Sequence, residues 1–268
     1  MAFIDSHCHL HDHRIASDLE KIIGRATDAG IEFMVTCATM EENFDRTALL
    51  AETWPGVLPF FGVHPWFIDS LSSGWKARLE ACLSGMPSGV GETGLDFMIK
   101  NADRDRQVQV FETQLALAVE MKRPINIHIR KAWEPLIRIL KRFGPLKIPG
   151  LVHSYSGSAD MVPVLEKYGL YISFSGSVTN PNSNKVLKSL AAVSADRIVF
   201  ETDSPDIPPW ISGERISGLN EPSNLPGIAG EAARRLETDP GRFIRRAYEN
   251  SRALFNPVIG TNANEESS

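Results

Sequence analysis

The chain has 268 residues, 43% of them hydrophobic and 23% charged, which is typical of a globular protein and excludes a disordered or fibrous one. Its apolar runs are strand-length and far shorter than a membrane span requires. The formal net charge of −5 excludes a protein that coats nucleic acid with a basic surface, although an enzyme that meets nucleic acid in a small cleft can be acidic overall.

Short apolar runs alternate with amphipathic stretches along the chain, which is the pattern of βα units around a parallel sheet. Most of these runs are continuously apolar, as expected for parallel strands that are buried on both faces. We predict eight strands, at residues 3–7, 33–38, 57–64, 89–95, 125–129, 150–153, 170–173 and 198–203. We predict helices between them at residues 18–29, 42–53, 71–83, 104–121, 133–143, 159–168 and 184–192.

After the last predicted strand come a loop rich in proline and glycine and two helical segments that end near Leu254. Residues 257–268 are expected to form a flexible tail. Eight strands that alternate with helices in a chain of this length predict a single domain, residues 1–256, folded as an α/β protein of the (β/α)8 TIM-barrel type. An open doubly wound sheet is the alternative.

One glycine motif is misleading. Residues 89–94 match the pattern GxGxxG, but a dinucleotide-binding fingerprint needs a strand before its first glycine and a helix that begins at its last. Here the glycines fall inside a predicted strand, and no helical pattern begins before about Asp103. We therefore reject a dinucleotide-binding site at this segment.

The cysteines and the first residues bear on the location of the protein. Three cysteines, Cys8, Cys37 and Cys82, lie far apart in the chain, unlike the paired cysteines of a disulfide framework. The N-terminal residues lead directly into an apolar strand-like segment, without the basic and apolar regions of a secretory signal. We therefore expect a cytoplasmic protein that has no membrane association and no obligate protein partner.

Histidines and carboxylates concentrate at the ends of the predicted strands. Residues two apart in an extended segment point to the same side, so both imidazoles of His7 and His9 face one way. The carboxyl ends of all strands in a (β/α)8 barrel meet on one face, which carries the active site. The candidates that share this placement are His7, His9, His64, Glu92, His128, His153 and Asp203.

This donor set predicts a metal site. A single histidine at a strand end is more often a structural residue, and an ion pair with an arginine would account for a buried Glu92. Structural histidines would scatter over helices and loops, however, whereas these candidates lie on six strands at the same end. Imidazole together with carboxylate suits zinc, manganese, nickel or iron(II), and the two oxygens of Glu92 allow it to bridge two ions.

Six motifs in this chain resemble those of the TatD family of metal-dependent hydrolases, within the amidohydrolase-like group of barrels. They follow the family order, and together they are far more specific than any one alone. The motifs are Asp5-Ser6-His7-Cys8-His9-Leu10, Gly62-Val63-His64-Pro65, Gly91-Glu92-Thr93-Gly94-Leu95-Asp96, Pro124-Ile125-Asn126-Ile127-His128, Val152-His153-Ser154-Tyr155-Ser156-Gly157 and Glu201-Thr202-Asp203-Ser204-Pro205. A late loop, residues 220–226, is also similar to the family.

The resemblance implies a hydrolase with two divalent ions, which are magnesium, manganese or zinc. The implied ligand set is His7, His9 and Asp203 on one ion, His128 and His153 on the other, and Glu92 bridging both. It places His64 near the substrate rather than on a metal. The family is described as DNases that often act as 3′-exonucleases, and deacylation of D-aminoacyl-tRNA has also been proposed for it.

We therefore expect a 3′–5′ exodeoxyribonuclease that cleaves phosphodiester bonds in single-stranded DNA, or another nucleic acid, with a two-metal-activated water. Asp203 is predicted to accept the proton of the attacking water, with Glu92 and His64 completing the catalytic set. His64 and Arg130 are predicted to contact the substrate and stabilise negative charge. The alternative for Arg130 is a solvated cation in a loop. Trp66 and Phe67 are both candidates for stacking on unpaired bases, and the alternative is that they cover the end of the barrel.

Two alternatives stay open. A hydrolase of another ester or amide, such as a D-aminoacyl-tRNA deacylase, fits the same site because one metal centre serves many bonds. A non-catalytic metal-binding barrel belongs to a different class, and the complete ligand set argues against it. One departure bears on substrate preference: Asp206 stands where the family commonly has an aromatic residue, which changes the charge near the mouth.

Overall fold

The protein, here a computed structural model, is described for residues 1–262, in which eight parallel strands form one sheet in chain order that nearly closes as a barrel. The strands are β1 Phe3–Cys8, β2 Ile31–Cys37, β3 Val57–Phe61, β4 Gly89–Asp96, β5 Ile125–Arg130, β6 Gly150–Val152, β7 Leu170–Phe174 and β8 Ile198–Phe200. The helices are α1 Leu19–Asp28, α2 Phe44–Thr53, α3 Trp75–Gly85, α4 Arg104–Glu120, α5 Trp133–Phe143, α6 Val162–Lys167, α7 Asn184–Ala192, α8 Leu225–Arg235 and α9 Pro240–Asn262. The predicted (β/α)8 barrel is therefore confirmed.

Three strands end earlier than predicted, so the candidate ligands expected at their ends lie in the loops that follow: His64, His153 and Asp203. Their backbone N–H groups still donate to carbonyl groups of a neighbouring strand or loop. The bonds run from His64 to Thr39 at 2.8 Å, from His153 to Ile127 at 3.0 Å and from Asp203 to His7 at 2.9 Å. These bonds hold each side chain at the carboxyl end of the barrel although the regular ladder has stopped.

The last helix corrects the prediction of a flexible tail from residue 257. Helix α9 continues past Leu254 to Asn262, and within it Leu254, Phe255, Val258 and Ile259 are buried. These side chains pack in one cluster with residues of the barrel strands, and this burial stabilises the helix end. The remaining residues of the expected tail, 263–268, lie outside the described part of the chain. None of the described helices is long and apolar enough to cross a membrane.

The junction between β1 and β8 is closed by side chains as well as backbone. The buried carboxylate of Asp5 accepts from the Thr202 backbone N–H at 2.8 Å and from its hydroxyl at 2.5 Å. The Ser6 hydroxyl donates to the Phe200 carbonyl at 2.8 Å. Burial raises the pKa of Asp5 to about 8, against the opposing effect of the Thr202 hydrogen bonds. These contacts set β8, and with it the following loop, beside β1.

The close approach of β4 to β5 requires a glycine at position 94. Gly94 has a φ of 150° and pairs with His128, whose carbonyl a methyl group at this position would overlap. We expect Gly94→Ala to destabilise the protein by roughly 2–4 kcal/mol, because β5 must shift to relieve the overlap. Urea-induced unfolding measures this effect.

The matched control is Gly230→Ala in α8, where an added methyl group meets no atom within 4 Å. We expect it to stabilise the protein by about 0.4–1 kcal/mol, since it restricts the unfolded chain. Equal stability of the two alanine variants would show that β4 and β5 have room to separate.

Candidate metal centre

Glu92 lies at the centre of a ring of histidines at the carboxyl end of the barrel. Its Oε1 lies 2.8 Å from His153 Nε2 and 3.0 Å from His128 Nδ1. Its Oε2 lies 3.5 Å from Nε2 of both His7 and His9. His64 Nε2 also lies 3.4 Å from Oε1. The two carboxylate oxygens therefore face different imidazoles, which is the arrangement that a bridging ligand needs.

Asp203 completes the side of the site that contains His7 and His9. Its Oδ1 lies 3.5 Å from His7 Nε2 and 3.4 Å from His9 Nε2, and the two Nε2 atoms are 3.2 Å apart. Nitrogens and oxygens converge at such distances when a cation or protons lie between them. Asp203 has a φ of 57°, which is uncommon for a residue other than glycine and recurs at functional sites.

The four histidines paired on Glu92 share a second feature, an acceptor beside the outer ring nitrogen. Three of these contacts are hydrogen bonds: His7 Nδ1 with Asn126 Oδ1 at 3.1 Å, His9 Nδ1 with the Cys37 carbonyl at 2.9 Å, and His153 Nδ1 with Glu201 Oε1 at 3.3 Å. His128 Nε2 lies 3.5 Å from Asp96 Oδ2, an ion-pair distance without a hydrogen bond. An acceptor there favours the ring proton on the outer nitrogen and directs the inner lone pair into the site. Divalent metals bind neutral imidazole through that lone pair, so these residues fit a metal centre.

His64 has the opposite arrangement. Its Nδ1 accepts from the backbone N–H of Trp66 at 3.2 Å, which places the proton of the neutral ring on Nε2, 3.4 Å from Glu92 Oε1. Burial holds the pKa of His64 well below its usual value; the charge of Glu92 opposes this shift, and the charges of neighbouring histidines add to it. His64 therefore presents a neutral N–H donor to the site, as a residue that contacts substrate would.

Opposite charges inside the site shift its pKa values. Burial opposes the charged form of His9, but the hydrogen bond with Asp203 and the charge of Glu92 outweigh it and raise the pKa of His9 to about 9. Burial likewise opposes the charged form of His153, yet the pKa of His153 is raised well above its usual value, chiefly by the charge of Glu92. Protons and metal ions therefore compete for the same nitrogens.

A cavity of about 620 Å³ opens above these residues. The loop after β3 contributes Trp66 and Phe67 to its wall, and Arg130, the last residue of β5, also lines it. Arg130 is exposed, and within the described residues no carboxylate lies within ion-pair distance of it. The cavity therefore has an unpaired cation and aromatic rings on this side.

The loops after β1 and β8 give the other side of the cavity a different charge. Arg14 donates to Asp206 at 2.7 and 2.9 Å and to Asp12 at 2.7–3.0 Å. Two carboxylates thus share one guanidinium, and a net negative charge is left on this side. Asp206, which stands where the family commonly has an aromatic residue, forms an ion pair with Arg14. Arg14 was not predicted to belong to the site.

Other supporting residues were present in the motifs, but their roles were missed. Asn126 lies two residues before His128, and Asp96 four residues after Glu92, so strand periodicity places each on the same face as a candidate ligand. This spacing in the sequence could have identified both residues as part of the site. Glu201, two residues before Asp203, also supports the site, since its Oε1 accepts from the Ser154 N–H at 2.8 Å and lies 3.3 Å from His153 Nδ1.

The chain is similar to metal-dependent hydrolases over nearly all of its length. It is 31% identical over 257 residues to the uncharacterized metal-dependent hydrolase YabD of Bacillus subtilis, covering 94% of this chain and 98% of that protein. It is 32% identical over 248 residues to the 3′–5′ ssDNA/RNA exonuclease TatD of Erwinia tasmaniensis, covering 91% and 95%. The crystal structure of YjjV, a TatD homolog of Escherichia coli, matches with a TM-score of 0.88 at 28% identity, covering 95% of this chain and 98% of that chain.

The fold, the donor set and these relatives together define the class of the protein, which is a metal-dependent hydrolase built on a (β/α)8 barrel. The family model described as TatD related DNase matches residues 4–256. The chain belongs to the TatD family. The resemblance that the six motifs carry is therefore confirmed over nearly the whole barrel.

The different orientation of His64 leads to a prediction about metal content. We expect His128→Ala to lower the affinity for manganese by at least 10- to 100-fold, because an inward lone pair is lost. We expect the manganese affinity of His64→Ala to stay within about threefold of the wild-type value, because His64 directs an N–H donor and no lone pair into the site. Elemental analysis after dialysis against buffered manganese measures both. His13→Ala is the control, since that side chain is 94% exposed; equal losses for His64 and His128 would make His64 a ligand.

The raised pKa of His9 predicts that metal binding depends on pH. Below about pH 9 the metal-free protein holds a proton on His9, and a metal must displace it. We therefore expect manganese affinity to rise from pH 6 toward pH 9, with protons released on binding. Calorimetric titration at pH 7 in two buffers of different ionisation enthalpy measures this release. A binding enthalpy that is the same in both buffers would contradict the competition.

Proposed function

We propose that this protein is a 3′–5′ exodeoxyribonuclease that hydrolyses phosphodiester bonds at the end of single-stranded DNA, with two divalent ions, magnesium, manganese or zinc. The observation that carries the proposal is the divided environment of Glu92: Oε2 faces His7 and His9, whereas Oε1 faces His128 and His153, with the N–H donor of His64 beside them. The relatives named 3′–5′ ssDNA/RNA exonucleases support the substrate class. Bound divalent ions would supply Lewis acidity toward phosphoryl oxygens and an activated water.

Asp203 is the proposed proton acceptor. Burial raises its pKa, but the hydrogen bond from His9 and the charge of His7 outweigh burial and hold the pKa of Asp203 below its usual value. The carboxylate is therefore ionised at neutral pH, and its Oδ1 is oriented by both imidazoles. An ionised, oriented carboxylate at the centre is suited to take the proton of an attacking water.

His64 and Arg130 are the proposed contacts to the phosphate. Both line the cavity, and each offers an N–H donor: the Nε2–H of a neutral imidazole and an unpaired guanidinium. Donors that are in place before reaction stabilise the negative charge that develops on phosphoryl oxygens. A cavity of about 620 Å³ is in the range that encloses a small ligand, and this favours a single-strand end over a duplex.

The alternative, hydrolysis of another ester or amide such as D-aminoacyl-tRNA, has one observation in its favour. Asp12 and Asp206 share a single arginine, Arg14, which leaves net negative charge on that side of the cavity. Such charge suits the protonated amino group of an aminoacyl ester and repels a second phosphate. The two proposals therefore place different substrate charges next to the same acidic residues.

The test is hydrolysis of a 5′-labelled single-stranded DNA oligonucleotide by the manganese- or magnesium-loaded protein. We expect a ladder shortened from the 3′ end. We expect Glu92→Ala and His153→Ala to lower its rate by about 10³-fold or more, because each change disrupts the donor set. His13→Ala serves as the matched surface control.

If the wild type keeps its metal but leaves DNA intact, the nuclease proposal is wrong, and D-aminoacyl esters and amides form the next panel. If none of these is hydrolysed while metal stays bound, the protein is a non-catalytic metal-binding barrel.

A further inference from the structure

The most exposed aromatic side chain beside the cavity is that of Trp66. It is 57% exposed, and among the large hydrophobic side chains exposed within residues 1–262 it is the only aromatic one. Its neighbour Phe67 packs against the core instead. An exposed indole at the mouth of a site is costly to leave in water and is suited to cover a flat partner.

The Trp66 ring is held in one orientation. Its Nε1–H donates to Asp96 Oδ2 at 2.8 Å, and the ring meets His64 edge-on with the centroids 5.1 Å apart. Asp96 is itself buried, and its Oδ1 accepts the Met98 N–H at 2.9 Å. A ring that is fixed before binding loses little conformational entropy when a ligand stacks on it.

The oxygen that holds the indole also faces the candidate metal ligand His128. Asp96 Oδ2 lies 3.5 Å from His128 Nε2, while the opposite ring nitrogen, Nδ1, lies 3.0 Å from Glu92 Oε1. A carboxylate beside the outer nitrogen fixes the orientation of a ligating histidine and raises its basicity. One carboxylate thus contacts the exposed ring and the metal centre.

We propose that Trp66 is the stacking residue for an unpaired nucleobase, and that Asp96 is a positioning residue that orients both Trp66 and His128. The choice of a nucleobase rests on the proposed nuclease function. A base stacked on Trp66 brings its phosphate into the cavity that His64 and Arg130 line. Stacking on an aromatic ring is tolerant of base identity, as an exonuclease that removes successive nucleotides of any sequence requires.

The first experiment separates the ring from its N–H. Binding of a 5′-fluorescein-labelled oligothymidylate to EDTA-treated protein is measured by anisotropy, so no cleavage occurs. Trp66→Leu removes the ring and is expected to raise Kd about tenfold or more. Trp66→Phe keeps a ring and is expected to change Kd less than threefold. Trp75→Phe, on α3 and not among the residues that line the cavity, is the control and is expected to have no effect.

The second experiment tests Asp96 through metal affinity, without any assay of activity. Asp96→Asn is expected to lower manganese affinity by about tenfold or more, since it removes the charge beside His128. Trp66→Phe is expected to lower it by a smaller factor, because a donor to the shared oxygen is lost, and Trp75→Phe is expected to leave it unchanged.

The stacking role of Trp66 and the positioning role of Asp96 can each be overturned without overturning the nuclease proposal. The stacking role would be overturned by either of two results: the wild type does not bind the oligonucleotide, or it binds and Trp66→Leu does not weaken the binding. Manganese affinity that is unchanged in Asp96→Asn would overturn the positioning role. Failure of the proposed function would appear instead as intact DNA with the metal-loaded wild type, while binding still depends on Trp66.

Discussion

The carboxyl end of this barrel is organised around one requirement, that the carboxylate of Glu92 stays charged while buried. Removing such a charge from water costs several kcal/mol unless partners compensate it. Here burial raises the pKa of Glu92, but the surrounding histidines outweigh burial and hold it well below its usual value. The imidazoles in turn need acceptors beside their outer nitrogens. The buried charge of Glu92 therefore requires further polar residues behind the histidines, among them Asn126, Asp96 and Glu201.

The barrel supplies this arrangement because its strands hold the candidate ligands in fixed relative positions. His7 and Asp203 come from opposite ends of the chain and meet because Asp5 and Thr202 join β1 to β8. The backbone contact of Gly94 with His128 sets the distance between β4 and β5. At the other end, α9 packs its apolar side chains against residues of the strands. Packing far from the site therefore contributes to its geometry.

The two sides of the cavity differ in chemistry, and this difference bears on substrate choice. Arg130 and Trp66 offer an unpaired cation and an aromatic face, which suit a phosphate and a base. Arg14 is already neutralised by Asp12 and Asp206, so it offers no charge to a phosphate. A nucleic acid would meet favourable groups on the first side and like charge on the second. For the proposed nuclease function, this asymmetry would favour a strand end over a continuous strand that crosses the mouth of the cavity.

The fold class, the family and the set of candidate ligands could all be predicted from the amino-acid sequence, because strand period and the position of polar residues at strand ends are local properties of the chain. Helices α5 and α7 were predicted with the observed bounds for the same reason. Which oxygen of Glu92 faces which histidines became apparent only in the folded barrel, as did the orientation of His64, whose Nδ1 accepts the Trp66 N–H and whose Nε2 faces Glu92. These features depend on partners distant in sequence, such as the Cys37 carbonyl beside His9. The extension of α9 beyond Leu254 was equally beyond local reasoning, since its order comes from burial against strands elsewhere in the chain.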